Sequence, residues 1–166
     1  MTFRLNENTI TTLRAESERR HMSLNTMINQ ILQDFTAWYM FEPKIGMVSL
    51  FKPVVAELFK KLTEQQLIEV AATVGKEATT DATLFMKRKV DLDSFLSWLE
   101  VRMRTSSIEI SHNSKESNHT YVFKHDLGKN FSLFQKIMLE LIFEEVFGIR
   151  IDCDCSDKIL SFKFST

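Results

Sequence analysis

The sequence predicts an α+β chain: a very short strand leading into two helices, then a helical middle region, then a strand-strand-helix-strand-strand sheet unit. Three observations carry that reading. Apolar residues recur at three- and four-residue steps through most of residues 6–105, the period falls to two at Thr2–Leu5 and again from Ser107, and Pro43 with Gly46 breaks the pattern once. These signals divide the chain into a domain over residues 1–42 and an α+β domain over residues 47–166, helical over 52–105 and sheet-forming over 107–165. A strand this short is not stable with both edges bare. It is therefore expected to pair with its copy across a two-fold axis, as a swapped two-stranded ribbon in a dimer.

In the strand, Phe3 and Leu5 alternate with Thr2 and Arg4, giving one apolar and one polar face. Asn6 reads as an N-cap, and Ile10 with Leu13 marks the buried side of a first helix carrying Arg14, Glu16, Glu18, Arg19 and Arg20. Ser23 is the next cap, followed by Leu24, Met27, Ile28, Ile31, Leu32, Phe35 and Trp38 at helical spacing. Pro53 suits the first turn of a third helix, Thr63 caps a fourth that is expected to stop at Gly75, and Asp91 opens another through Met103. From Ser107, two strands flank a turn expected at Asn113–Asn118. An apolar helix then runs to Gly148, and two further strands turn at Ser156–Lys158.

With 166 residues, 44% of them hydrophobic, there is material for one ordinary domain or two small ones. No apolar run approaches the roughly 20 residues of a membrane span, and no secretory signal is expected. Cys153 and Cys155 lie on one strand, too close along it for ordinary disulfide geometry. A cytoplasmic protein with reduced thiols is expected. The 21 basic residues are outweighed by 22 acidic ones, so a nucleic-acid surface has to come from local arrangement rather than bulk charge.

The alternating Thr2-Phe3-Arg4-Leu5, the first helix ending at His21, and Met22-Ser23-Leu24-Asn25 at the start of the second helix together resemble the ribbon-helix-helix DNA-binding family of MetJ, Arc and CopG-like repressors. The resemblance covers residues 1 to about 40 of the 166. It implies a ribbon in the major groove of double-stranded DNA, with Thr2 and Arg4 facing base edges. It also implies that Ser23, Leu24 and Asn25 hold a phosphate, since the first amides of a helix lack intrahelical partners and sit at its positive end. Ribbons of that family present three outward positions, and here the third would fall before Met1.

Nickel-responsive members of that family join the module to a metal-binding sheet domain, but the candidate ligands here do not line up. His112, His119, His125, Cys153 and Cys155 spread over three strands, with His119 and His125 sharing a face. No metal and no other cofactor is expected. There is no glycine-rich phosphate loop or nucleophile elbow, and His125-Asp126 near Ser132 reads as a strand-to-helix turn rather than a triad, so no catalytic residue is assigned. The expected function is a dimeric, sequence-specific, prokaryotic-type transcription regulator, with tetramers on DNA and a small-molecule or protein effector of the C-terminal domain left open. The alternative is an antitoxin-like or scaffold module that uses its N-terminal part only to dimerise.

Overall fold

Four helix starts are set by a side chain accepting an otherwise unpaired amide. Asn6 Oδ1 accepts from Asn8 N at 2.9 Å, Ser23 Oγ from Thr26 N at 3.0 Å, and Asp91 Oδ1 from Ser94 N at 2.9 Å. Thr63 and Gln66 form a reciprocal capping box. The computed structural model, which describes residues 4–166, shows helices α1 (Glu7–Arg19) and α2 (Leu24–Asp34), the latter running into a π-turn at Phe35–Tyr39 and a 3₁₀ turn at Glu42–Lys44. After these come α3 (Lys52–Lys61), α4 (Glu64–Val70), a π-turn at Ala71–Gly75, α5 (Lys76–Lys87) and α6 (Leu92–Thr105). Strands β1 (Glu109–Lys115) and β2 (Asn118–Lys124) precede α7 (Lys129–Phe147), β3 (Asp152–Cys155) and β4 (Ile159–Ser165). The chain divides into two compact units, residues 1–44 and 45–166.

The class is α+β, but the expected N-terminal ribbon is overturned. Arg4 and Leu5 belong to no strand and α1 is the first described element, while Thr2 and Phe3 lie outside the described residues. A strand exists through the ladder it shares with a neighbour, and none of the described strands lies in residues 4–44 to provide one. Two smaller expectations also change. Gly75 does not stop a helix: α4 continues through the π-turn into α5, and the apolar piece Leu84-Phe85-Met86 is the end of that helix. The β1–β2 turn is tighter than its polar sequence suggests, because the pairing runs on to Lys115 opposite Asn118 and leaves only Glu116, at φ 56°, and Ser117 between the strands.

In residues 45–166 the four strands form one antiparallel sheet in the order β1-β2-β4-β3. Its register lines Ile110, Phe123, Leu160 and Cys155 in one cross-strand row and His112, Tyr121, Phe162 and Cys153 in the next. That face packs on α6 and α7, while Ser111, Asn113, Lys163 and Asp154 on the opposite face are exposed or partly so. On the inner face Phe143 of α7 meets Phe162 and Phe164 of β4 at ring-centroid distances of 5.5 and 5.1 Å, and Phe95 of α6 at 5.9 Å. The other side of α7 carries α3 to α5. Phe59 packs on Phe131 and Phe134 at 5.2 and 5.3 Å, Asn130 Nδ2 donates to Phe59 O and Leu62 O at 3.0 and 2.9 Å, and the Phe134 ring lies against Gly75.

Phe143 is fully buried between these layers. The Phe143→Ala variant is expected to lose about 3–5 kcal/mol of stability. Ser111→Ala on the open sheet face should stay within about 0.5 kcal/mol of the parent. Urea unfolding followed by circular dichroism measures both.

Candidate nucleic-acid interface

The helix pair of residues 1–44 is joined by a sharp reversal. His21 takes φ 53°, its amide donates to Glu18 O, and Met22 N donates to Ser17 O, both at 3.0 Å. Ser17 is buried against the turn and its hydroxyl donates to Arg14 O at 2.8 Å. This places Ser23 at the exposed start of α2, where its Oγ caps Thr26 N and pairs with Thr26 Oγ1 at 2.8 Å. Leu24 is half-buried and Asn25 exposed, so the polar residues of the expected phosphate site face solvent and Leu24 anchors them.

Arg4 is exposed two positions before the Asn6 cap, with no ion pair among the described residues. Thr2, the other expected base-facing residue, lies outside the described residues. Arg4 and Ser23 sit at opposite ends of α1, whose 13 residues span roughly 20 Å, so one chain does not bring them together.

The electrostatics of this unit turn on Glu16, whose role sequence reasoning did not assign although its spacing to Arg19 and Arg20 carried the signal. Arg19 Nε and Nη2 donate to its two oxygens at 2.7 and 2.6 Å, and Arg20 Nε donates to Oε1 at 2.5 Å. The hydrogen bonds from Arg19 and then Arg20 hold the Glu16 carboxyl down to about 2, and the same contact raises Arg19. Two of the five basic residues in residues 1–44 are thereby committed to an acid within the helix.

Elsewhere the expected chemical groups fall into separate places. His125 lies beyond the end of β2, buried, and does not share a site with His119. Leu127 N donates to His125 Nδ1 at 3.2 Å, which leaves Nε2 as the donor to Ser132 Oγ at 2.9 Å, and Ser132 in turn donates to Ser156 O at 2.6 Å. The proton order runs from imidazole to hydroxyl to carbonyl. A nucleophilic serine needs the reverse, an imidazole nitrogen free to take its proton, so this chain of bonds fastens the β2–α7 and β3–β4 turns to the start of α7. Asp126 is turned away to Lys52, with Nζ 3.3 Å from its Oδ1.

On the hairpin, His112 Nε2 and His119 Nδ1 are 3.1 Å apart, and the His112 ring stacks on Tyr121 at 4.0 Å. Tyr121 donates to Glu100 Oε1 at 3.2 Å, and its burial, with Glu100 beside it, pushes the phenol well above its ordinary range. Cys153 and Cys155 are free thiols, and burial pushes Cys153 up to about 12. Among the described residues no group of three or more His, Cys, Asp or Glu side chains is placed to hold a metal ion. Nor is any described helix long and apolar enough to cross a membrane.

Burial lowers the His125 imidazole below its ordinary 6.5, so the unfolded chain takes up a proton that the folded chain resists. Stability from this group is complete above that value and falls as the solution is acidified through the lowered folded value, by at most about 1.4 kcal/mol per pH unit. The unfolding free energy measured between pH 7.5 and 5 should show this decline, and His125→Gln should be less stable at pH 7.5 with a flatter profile. Ser23→Ala is expected to cost about 1 kcal/mol through loss of the cap, and Asn25→Ala less than half of that, in urea titrations. Compared with known proteins, the chain matches no family model and no curated protein sequence.

Proposed function

We propose that this chain is a dimeric, sequence-specific DNA-binding transcription regulator of the cytoplasm, which reads duplex DNA through residues 1–44 and uses residues 45–166 for sensing or oligomerisation. The observation that carries the reading is the helix pair itself: a capped, solvent-facing helix start at Ser23 on a helix that leaves part of its apolar side exposed. Ile31, Leu32, Phe35 and Tyr39 are each about half exposed, and Met27 and Trp38 are the buried apolar side chains of the unit among the described residues. A unit of 44 residues with so small a core needs a partner to bury the rest. A second copy offers the same uncharged surface across a two-fold axis.

Such a dimer presents two α2 starts, each with free amides and a positive helix end suited to a phosphate, and two copies of Arg4 whose guanidinium is not engaged by an acid among the described residues. Local placement then supplies what the neutral composition lacks.

A specific observation favours the second reading, a protein-interaction module. Residues 1–44 carry Arg4, Arg14, Arg19, Arg20 and Lys44 against Glu7, Glu16, Glu18, Asp34 and Glu42, and Glu16 engages two of those arginines. A protein partner recovered in fixed stoichiometry, together with no shift of any duplex, would decide for it.

Selection of bound DNA from a random duplex pool tests the main reading. An enriched sequence should emerge, and its affinity should fall steeply with salt. Arg4→Ala should cost on the order of 1–3 kcal/mol, concentrated at one base position, whereas Asn25→Ala should weaken all sequences alike. A pool with no enriched sequence would overturn the proposal.

A further inference from the structure

Strand β1 forms one edge of the sheet, and all of its seven residues except Ile110 are exposed. An edge strand offers a row of unpaired N–H and C=O groups, and β1 has neither the proline nor the bulge that closes such an edge. Its side chains carry a second unfinished pattern. On the side facing the helices, Phe162, Tyr121 and His112 stack in one cross-strand row, at ring-centroid distances of 5.0 and 4.0 Å and interplanar angles of 5° and 7°. That spacing is close to the one between neighbouring strands. The stack ends on His112, at the edge.

We infer that β1 pairs antiparallel with β1 of a second copy of the chain, joining two four-stranded sheets into one. The two-fold axis passes through the sheet at His112, and the sequence on either side of that residue fits itself. Glu109 falls opposite Lys115 of the partner subunit, Ile110 opposite Ser114 of the partner subunit, and Ser111 opposite Asn113 of the partner subunit. No acid meets an acid and no lysine a lysine. On the open face Glu109 then lies between Lys124 of its own chain, whose Nζ is 3.0 Å from its Oε1, and Lys115 of the partner subunit. On the other face the two His112 rings meet at the axis and make one stack of two.

This self-complementarity selects a second copy as the occupant, and the opposite edge of the sheet lacks it. Strand β3 has four residues, and pairing it with its copy about Cys153 sets Asp152 against Asp154 of the partner subunit. Seven residues paired as in β1 exchange roughly six to eight backbone hydrogen bonds, within the range of an ordinary protein interface. Residues 45–166 contain the whole contact, so it goes beyond the dimer proposed for residues 1–44 and does not depend on it.

Zero-length cross-linking of the full chain tests the register. Chains carrying light and heavy nitrogen are mixed and treated with a carbodiimide, which joins a carboxylate to an amine only where the two touch. An amide between Glu109 and Lys115 should appear in peptides that carry one label from each chain. It cannot form within one chain, where the strand holds these residues roughly 20 Å apart. The link between Glu109 and Lys124, formed inside the chain, shows that the reagent has reached the strand.

Sedimentation equilibrium measures the strength. Phe35→Asp, which removes any dimer formed through residues 1–44, should leave a chain that still dimerises through β1. Adding Lys115→Glu sets acid against acid at both ends and should weaken that association about ten-fold or more. Exchanging all three charges, in Glu109→Lys, Lys115→Glu and Lys124→Glu together, restores every pair and should return the dissociation constant to within about three-fold. Lys163→Glu, an equal change on the open face of β4, should leave it unaltered, and circular dichroism confirms that each variant is folded.

A mixed pool that yields the Glu109–Lys124 link without the Glu109–Lys115 link would overturn the β1 contact. So would a Phe35→Asp chain that is monomeric, one that is indifferent to Lys115→Glu, or a loss that the triple exchange does not recover. A parent dimer that is lost in Phe35→Asp removes the β1 contact and leaves the dimer of residues 1–44 standing, whereas a parent chain that is monomeric at all concentrations removes both.

Discussion

Residues 45–166 are organised by the burial of α7 on two opposed sides. From Asn130 to Phe143 none of its residues is exposed. A helix in that position cannot be amphipathic in the ordinary sense; it needs one layer for each side. The sheet supplies one through Phe162 and Phe164, and α3 to α5 supply the other through Phe59, Thr79 and Gly75. The two charged residues in the stretch, Lys136 and Glu140, lie one turn apart with Nζ and Oε1 at 3.7 Å, so each has an opposite charge beside it. Burial still raises the Glu140 carboxyl. The start of the helix is tied down separately, by Asn130 to the end of α3 and by Ser132 to the β3–β4 turn, which leaves α7 little freedom to slide between its layers.

Residues 1–44 show the opposite condition. Their helices are well capped and their reversal well bonded, yet Ile31, Leu32, Phe35 and Tyr39 of α2 and its π-turn are each about half exposed. Met27 and Trp38 are the exceptions: both are buried, and Trp38 Nε1 donates to Glu42 Oε1 at 2.5 Å, which fixes the short turn that ends the unit. Local bonds thus define the shape of this unit more than burial does. Burial is what a partner would add, and the stability it added would rise with protein concentration.

What the amino-acid sequence made legible was local. Asn6, Ser23, Thr63 and Asp91 act on amides two or three residues away, so a short stretch contains the whole interaction. The ribbon failed because a four-residue alternation at Thr2–Leu5 is equally compatible with an irregular lead into a helix, and the strand's partner is not encoded in the stretch itself. Gly75 was misread for a related reason: glycine next to an apolar run resembles a helix stop, whereas here the missing side chain makes room for Phe134, which lies far along the chain. In the candidate site, the Ser23 cap was visible and the solvent exposure of Ile31, Leu32 and Phe35 was not. Their spacing is that of core residues, and only the fold reveals that each is about half exposed.

The π-turn at Ala71–Gly75 has a consequence for the faces of the rod it interrupts. Leu67, Ala71, Thr79 and Thr83 are all buried, and with Gly75 they recur at every fourth position. In an uninterrupted α-helix each four-residue step overshoots a full turn by about 40°, so four steps would carry the stripe about 160° around and point Thr83 almost directly away from Leu67. The one extra residue of a π-turn takes back about 100° of that drift. The turn is a phase correction: it lets a rod of two short helices keep one side on α7 along its whole length, and it thereby also determines which residues, Leu84 among them, are exposed at its end.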